Sequence, residues 1–478
     1  MRTKIQVLST DECTEVHERS MNILSKNGVR VESGPARKIL KKAGAEINET
    51  SHLVRFPRSL IEEALSLAPR EFKLGGRRPG WSLNMNEGQC KLVADGGAVS
   101  VLDLESGKNR PGTFEDWLKA TFLIDSMDEI GVYWNMVEGG LAIESAGDFI
   151  AYYRNTFKNC SKHIQDSVDS PEKAEFLIEI LQIIFGDKKT IAAIHPFSYL
   201  LCPMSPLVID ATYTNAYLAT TGWKIPVAIM PMPLMGMTSP PSLISTLLQG
   251  NCEVLSMLCL VQAAEPGTPC IYAPVAQSIE PRTWRYTGGA VENSILGAAV
   301  TEMGRYYGLP VEASSGGTDH YFPGIQASYE RAINWALPTL AYPDLLVGPG
   351  LFGGSTIFCL EQMVIDVEIF RRCERLYKGI ATDAEKWLDD SIADLGPGRN
   401  YLNQKSTLKA LREGRWYTSG MGFHDTYEKW IASGQPDIID EIRHKTETIL
   451  KDYQPLPLDP LAEAELIQME KRLRETGA

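Results

Sequence analysis

The chain has 478 residues, of which 44% are hydrophobic and 22% charged, enough to bury a large core in an ordinary globular protein. A formal charge of −13 argues against nucleic acid and anionic membrane surfaces as partners. The cysteines form no Cys-x-x-Cys pair, so neither a disulfide framework nor a metal site is expected.

The first residues, Met1-Arg-Thr-Lys-Ile-Gln6, lack the apolar stretch of a signal peptide, and no run of ~18 apolar residues occurs, which predicts a cytoplasmic protein without a membrane partner. Apolar residues recur at helical spacing over 10–27 and 59–67, and 91–104 alternates like a pair of hairpin strands around Asp95-Gly96-Gly97. No flexible linker follows, so 1–112 reads as an N-terminal helical and hairpin cap packed on the rest. From 113 the pattern turns regular. A helix over 113–127, opened by the capping-box-like Thr113-Phe-Glu-Asp116, leads to a strand at 131–137. Helix 148–157, strand 162–165 and helix 171–185 follow, then strand 190–195, helix 207–220, strand 225–231 and helix 242–264. Strand 269–274, helix 290–307, strand 310–313, helix 325–340, strand 345–347 and helix 355–378 complete the series.

Seven strand–helix alternations, with an eighth strand available from 91–104, predict an α/β protein with parallel strands. The strands are short and continuously apolar, as in sheets covered on both faces. With this number of units a closed (β/α)8 barrel over 113–380 fits better than an open doubly wound sheet, and no Gly-x-Gly-x-x-Gly follows an early strand. Residues 381–478 read as a C-terminal helical extension lying on the barrel or on a neighbouring subunit, which predicts a homo-oligomer.

Function in a barrel collects at the C-terminal ends of its strands. Those positions hold Trp134, His163, His195 and Arg285, then the run Asp319-His-Tyr-Phe322 behind Gly316 and Gly317, and finally Phe352, Gly353 and Gly354. A metal site needs converging ligands with carboxylates behind them, and only His320 has an acidic neighbour, so hydrogen-bonding or catalytic histidines are the better reading. Aromatic rings around a cavity suit a quaternary ammonium, which offers no N–H and is held by ring faces at roughly 0.5–2 kcal/mol per contact. The methionines of 230–237 read as packing, with an adaptable cavity wall as the alternative. Glycines 348–354 suit a phosphate cradle, or clearance for a flat macrocycle. The rim offers no lysine for a Schiff base and the chain no Gly-x-Ser-x-Gly elbow.

The loop Gly316-Gly-Thr-Asp-His320, with Pro323, Gln326 and Tyr329-Glu330 after it, resembles the signature segment of the trimethylamine methyltransferase (MttB-like) superfamily. Thr113-Phe-Glu-Asp116, the glycines 348–354, and the run from Ser406-Thr-Leu408 through Trp416 to Tyr427-Glu-Lys-Trp430 agree, so the likeness spans nearly the whole chain. It implies a (β/α)8 enzyme moving a methyl group from an amine to the cobalt of a corrinoid (cobalamin) carried by a separate small protein, with no tightly bound cofactor of its own. Archaeal trimethylamine enzymes of this superfamily carry pyrrolysine, and that position falls at or beside His320 here. The resemblance is therefore to the non-pyrrolysine members, which demethylate quaternary amines: glycine betaine first, then proline betaine, carnitine or γ-butyrobetaine. It implies His320 and Asp319 as catalytic or positioning groups. Tyr321, Phe322, Phe352 and Trp134 would face the ammonium, and His163, His195, His320 or Arg285 the carboxylate. Gly316, Gly317, Gly353 and Gly354 would give the corrinoid room. Two other readings stay open: a phosphate-handling barrel lyase or isomerase, and a non-catalytic partner of a corrinoid protein.

Overall fold

The computed structural model describes residues 2–3, 5–138, 143–314 and 316–476. Eight short parallel strands form its centre: β1 (Lys91–Val93), β2 (Ile130–Tyr133), β3 (His163–Asp166), β4 (Phe197–Leu201), β5 (Val227–Ile229), β6 (Cys270–Tyr272), β7 (Glu312–Ser314) and β8 (Leu345–Val347). They hydrogen-bond in the order β6-β5-β4-β3-β2-β1-β8-β7, and a parallel bridge from Tyr272 to Val311 joins the two edges into a closed (β/α)8 barrel. A helix outside the barrel follows each strand, with a second short one, Lys188–Ile194, before β4: α1 (Phe114–Ser126), α2 (Ala146–Asn159), α3 (Pro171–Phe185), α4 (Thr212–Ala219), α5 (Leu243–Ala264), α6 (Val291–Tyr306), α7 (Ile325–Ala341) and α8 (Leu360–Lys378).

Local sequence explains the helix starts. Thr113 and Asp116 close a capping box at α1, Ser145 and Asp148 do the same at α2, and Ser170 caps α3 ahead of Pro171. Strand residues alternate between two cores. Val93, Val132, Leu200, Ala228, Ile271, Leu345 and Val347 fill the barrel interior, while Leu92, Ile164, Tyr199, Val227 and Leu346 face the helices. The hairpin Phe72–Gly75/Ser82–Met85 inserts Leu74, Leu83 and Met85 into the interior core, so it stoppers the N-terminal end of the barrel. A cavity lies at the other, C-terminal end.

Two sequence expectations need correction. The segment 91–104 is not a hairpin: β1 pairs in parallel with β2 and β8, and the barrel takes its first strand from within the N-terminal segment. The hairpin lies further on, between Ser100–Asp103 and Lys108–Pro111. The expected strand at 190–195 is a helix, Lys188–Ile194, capped by Asp187, and the strand begins after Pro196. A short apolar run carries no periodicity that separates strand from helix, and the N-cap decided it.

Helix α5 is long and apolar enough to cross a membrane by length and composition, yet 78% of its most apolar window is buried. Helices Thr10–Lys26, Gly34–Lys42 and Arg58–Leu67 cover the side of α5 that faces away from the barrel. Its uniform apolarity follows from being covered on all sides. At the other end of the chain, Pro460–Thr476 packs on α2 through Arg154–Glu470 (3.0 Å) and Arg474–Asp148 (2.8 Å), and Ile438–Asp452 packs on α8 and α1.

Candidate active site

A cavity of about 300 Å3 occupies the open end of the barrel. It is built from loops that follow the strands. Asp95 and Gly96 come from the loop after β1, Trp134 follows β2, and Met230, Met232 and Leu234 follow β5. Val275, Gln277 and Tyr286 come from the β6–α6 connection, Ser314 and residues 316–318 from the end of β7, and Val347, Gly348, Leu351, Gly354 and Ser355 from the loop after β8. The walls are therefore two aromatic rings, two methionines and aliphatic groups, broken by a few polar atoms.

Gly96 is required where it stands. A Cβ there would lie 2.3 Å from Cε2 of Trp134, so the glycine lets the indole lie flat against the β1 loop. Asp95 is enclosed by the loops, and burial raises its carboxyl above the ordinary range. Below the cavity, Glu312 of β7 is fully buried and both its oxygens accept from Nε2 of Gln165, at 3.0 and 3.1 Å. Burial, with Asp95 adding to it, pushes the Glu312 carboxyl up to about 7.

Arg331 of α7 also lines the cavity. It is fully buried, pairs with Asp366 of α8 at 2.8 Å, and donates to the carbonyls of Gly348 and Leu351. It thus fastens the loop after β8 to two helices. The Gly350 N–H donates to Asp366 (2.7 Å), that of Gly353 to the His320 carbonyl (3.1 Å), and that of Gly317 to the Gly288 carbonyl (2.8 Å). The Gly350 and Gly353 N–H groups, two of the donors a phosphate cradle in the loop after β8 would use, are thus already committed inside the protein.

The signature loop is clasped rather than free. Asp319 accepts from the Thr287 hydroxyl (2.5 Å) and the Gly288 N–H (2.8 Å), tying the loops after β6 and β7 together. Glu330 of α7 accepts from the Thr318 hydroxyl (2.5 Å) and the Asp319 N–H (3.0 Å). His320 lies on the rim, its Nδ1 2.7 Å from the carbonyl oxygen and 3.2 Å from the backbone nitrogen of Phe322. Tyr321 and Phe322 are exposed at the mouth, and the Tyr321 ring covers Gly353, where a Cβ would approach it to 2.7 Å.

The structure divides the residues picked out in the sequence. Trp134, Gly316, Gly317 and Gly354 line the cavity; Asp319, His320, Tyr321, Phe322 and Gly353 form its rim. Arg285 is exposed on the hairpin that carries Tyr286. Phe352 lies in a satellite core with Leu102, Leu104 and Ala327 beneath the Arg331 guanidinium. His163 and His195 are at the opposite, stoppered end. His195 caps helix Lys188–Ile194 with φ +50 and bonds the Lys73 carbonyl, while His163 bonds the His195 carbonyl and Ser198, and burial pulls it down to about 3. Neither histidine reaches the cavity.

Asp95 and Arg331 are the residues that sequence reasoning passed over. Asp95 was hidden in a turn signal, and Arg331 in the polar pattern of a helix. The glycine pair after Asp95 was the available clue, since it marks a close approach as well as a turn.

A family model described as trimethylamine methyltransferase (MTTB) matches residues 1–477. The chain belongs to the trimethylamine methyltransferase family. It is accordingly a methyltransferase. Trimethylamine methyltransferase MttB of Methanosarcina barkeri is 29% identical over 463 residues, covering 95% of this chain and 92% of its own. The glycine betaine methyltransferase of Desulfitobacterium hafniense strain Y51 is 26% identical over 464 residues, covering 97% and 96%. Among solved structures, the monomethylamine methyltransferase MtmB of Methanosarcina barkeri superimposes with a TM-score of 0.50 at 11% identity over 93% of each chain, a likeness of fold.

Proposed function

We propose that the protein transfers a methyl group from a quaternary amine, glycine betaine first, to the cobalt(I) of a corrinoid carried by a separate protein. The observation that carries the reading is the cavity: a small chamber walled by Trp134, Tyr286, Met230 and Met232 at the C-terminal end of the barrel, in a trimethylamine methyltransferase family chain whose resemblance to that family implies His320 at or beside the pyrrolysine position. Cobalt(I) supplies the nucleophile: the N–CH3 bond breaks, a C–Co bond forms, and the nitrogen keeps the electron pair. A quaternary nitrogen leaves as a neutral tertiary amine, so the protein needs no general acid. Its own task is to hold one N–CH3 bond toward the mouth and to exclude water.

At about 300 Å3 the chamber takes a small amine and not a macrocycle, so the corrinoid approaches from outside. The mouth suits such a partner, because Trp284, Tyr321, Phe322, Ile325 and Tyr329 expose large apolar side chains around it. Gly353 and Gly354 keep the opening low beneath Tyr321 and Tyr286. His320 and Asp319 belong to this rim as positioning groups for the methyl acceptor.

The decisive experiment mixes the purified protein with cobalt(I) cobalamin and follows methylcobalamin. Formation from glycine betaine, proline betaine, carnitine or γ-butyrobetaine supports the proposal, and formation from trimethylamine alone sinks it. His320→Ala should lower the rate about tenfold or more while leaving the fold intact, because misplacing a reacting partner is costly. A wild-type rate would remove His320 from the site.

A further inference from the structure

Asp95 shares this cavity with Arg331, whose guanidinium reaches it only from a distance and is already paired with Asp366. The Asp95 Oδ1 accepts the N–H of Gly96 at 2.9 Å and its Oδ2 the hydroxyl of Ser355 at 3.1 Å. Among the described residues, no lysine, arginine or histidine stands within 4.0 Å of it, whereas Asp366 has Arg331 at 2.8 Å. A carboxylate withdrawn from water is costly unless a cation compensates it. The faces beside Asp95 are those that favour a cation: Trp134 against Gly96, and Tyr286 against Gly354.

The residue that holds Asp95 is itself in an unusual conformation. Ser355 has φ +66, in the left-handed region that a side chain disfavours, directly after Gly353 at +55 and Gly354 at +67. Such a backbone persists where the surroundings over-determine it, and functional sites collect these positions. Here the turn aims a hydroxyl at one carboxylate oxygen, which fixes the carboxylate against the cavity wall.

We propose that Asp95 is the counter-charge to the substrate's quaternary ammonium, positioned by Ser355, so that the cavity selects a cationic methyl donor over a neutral molecule of the same shape. The proposal rests on the methyl-transfer reading and adds the residue that reads the charge. It has a kinetic corollary. The nitrogen loses its charge as the methyl leaves, so Asp95 stabilises the bound substrate more than the departing amine. Removing the charge then raises KM without lowering kcat.

The test compares glycine betaine with 3,3-dimethylbutanoate, which replaces the nitrogen by carbon, in equilibrium binding to the wild type, Asp95→Asn and Ser355→Ala. The wild type should prefer betaine by about tenfold or more, the scale of a buried charge contact. Asp95→Asn should lose that preference and bind 3,3-dimethylbutanoate, an anion that the Asp95 carboxylate repels, at least as well as the wild type does, which also reports an intact cavity. Ser355→Ala should fall between the two, and methyl transfer by Asp95→Asn should show the KM rise with kcat maintained. If Asp95→Asn weakens both ligands alike, or keeps the full preference for betaine, the proposal is overturned and the methyl-transfer reading stands. If the wild type binds neither betaine nor tetramethylammonium, both are overturned.

Discussion

Glu312 shows how a single buried residue ties this site to pH. Burial raises its carboxyl from 4.5 to about 7, so the folded protein holds the proton more tightly than the unfolded chain does. Its contribution to stability is therefore fully present below about pH 4.5 and is lost as pH rises through 7, a swing on the order of 3 kcal/mol. Glu312→Gln keeps the shape of the neutral acid and its contact with Gln165 but cannot ionise. Thermal melts should give nearly equal Tm values for the two proteins near pH 5 and a higher Tm for the variant near pH 8. A gap that does not change with pH would refute the assignment. His163 acts in the opposite sense from the far end of the barrel. Burial holds it at about 3, below its ordinary 6.5, so stability is lost as pH falls through 6.5, and His163→Gln should flatten that acid limb.

At the scale of elements, the loop after β8 depends on helices α7 and α8 through one buried pair. Arg331 and Asp366 are both fully buried, and the guanidinium also carries the Gly348 and Leu351 carbonyls. Removing one partner strands the other, so Arg331→Met should cost about 3–5 kcal/mol, read as a lowered denaturation midpoint. The joint change Arg331→Met with Asp366→Leu should recover part of that loss, because it leaves no stranded charge. Elements were also where the sequence was most and least readable. Strands such as Leu345–Val347 and helices such as Pro171–Phe185 announce themselves by apolar runs, by proline at a first turn, and by alternation along the chain. The segment at 190–195 did not, because a run of four apolar residues, 191–194, fits either state. The signature loop led to the rim, whereas Asp95 and Arg331 depend on contacts between residues 260 and 35 positions apart, Ser355 and Asp366, which no local pattern encodes. The two histidines at 163 and 195 misled for the same reason: position along a strand says nothing of which end of the barrel it faces until the strand's true limits are known.

At the scale of the molecule, the barrel has three different surfaces. One end is stoppered, the other presents the cavity with its apolar rim, and the side beside α8 carries the C-terminal arm, where Tyr417 and Ser419 both donate to Glu368 at 2.7 Å. Between Gly379 and Gln435 that arm exposes Trp387, Ile392, Leu402, Trp416 and Tyr427, a concentration of large apolar side chains of the kind a partner covers. A second copy of the chain is the expected cover, because the arm lies on the flank and leaves the mouth open for a corrinoid carrier. Light scattering should then give a multiple of the 53.0 kDa chain mass, and the double change Trp387→Asp with Trp416→Asp should reduce it to one. Since neither tryptophan touches the cavity, the same variant should bind glycine betaine as the wild type does. Loss of amine binding on dissociation would mean instead that the flank contact helps to shape the cavity, and a wild-type mass of 53.0 kDa would leave the arm's apolar surface to the corrinoid carrier.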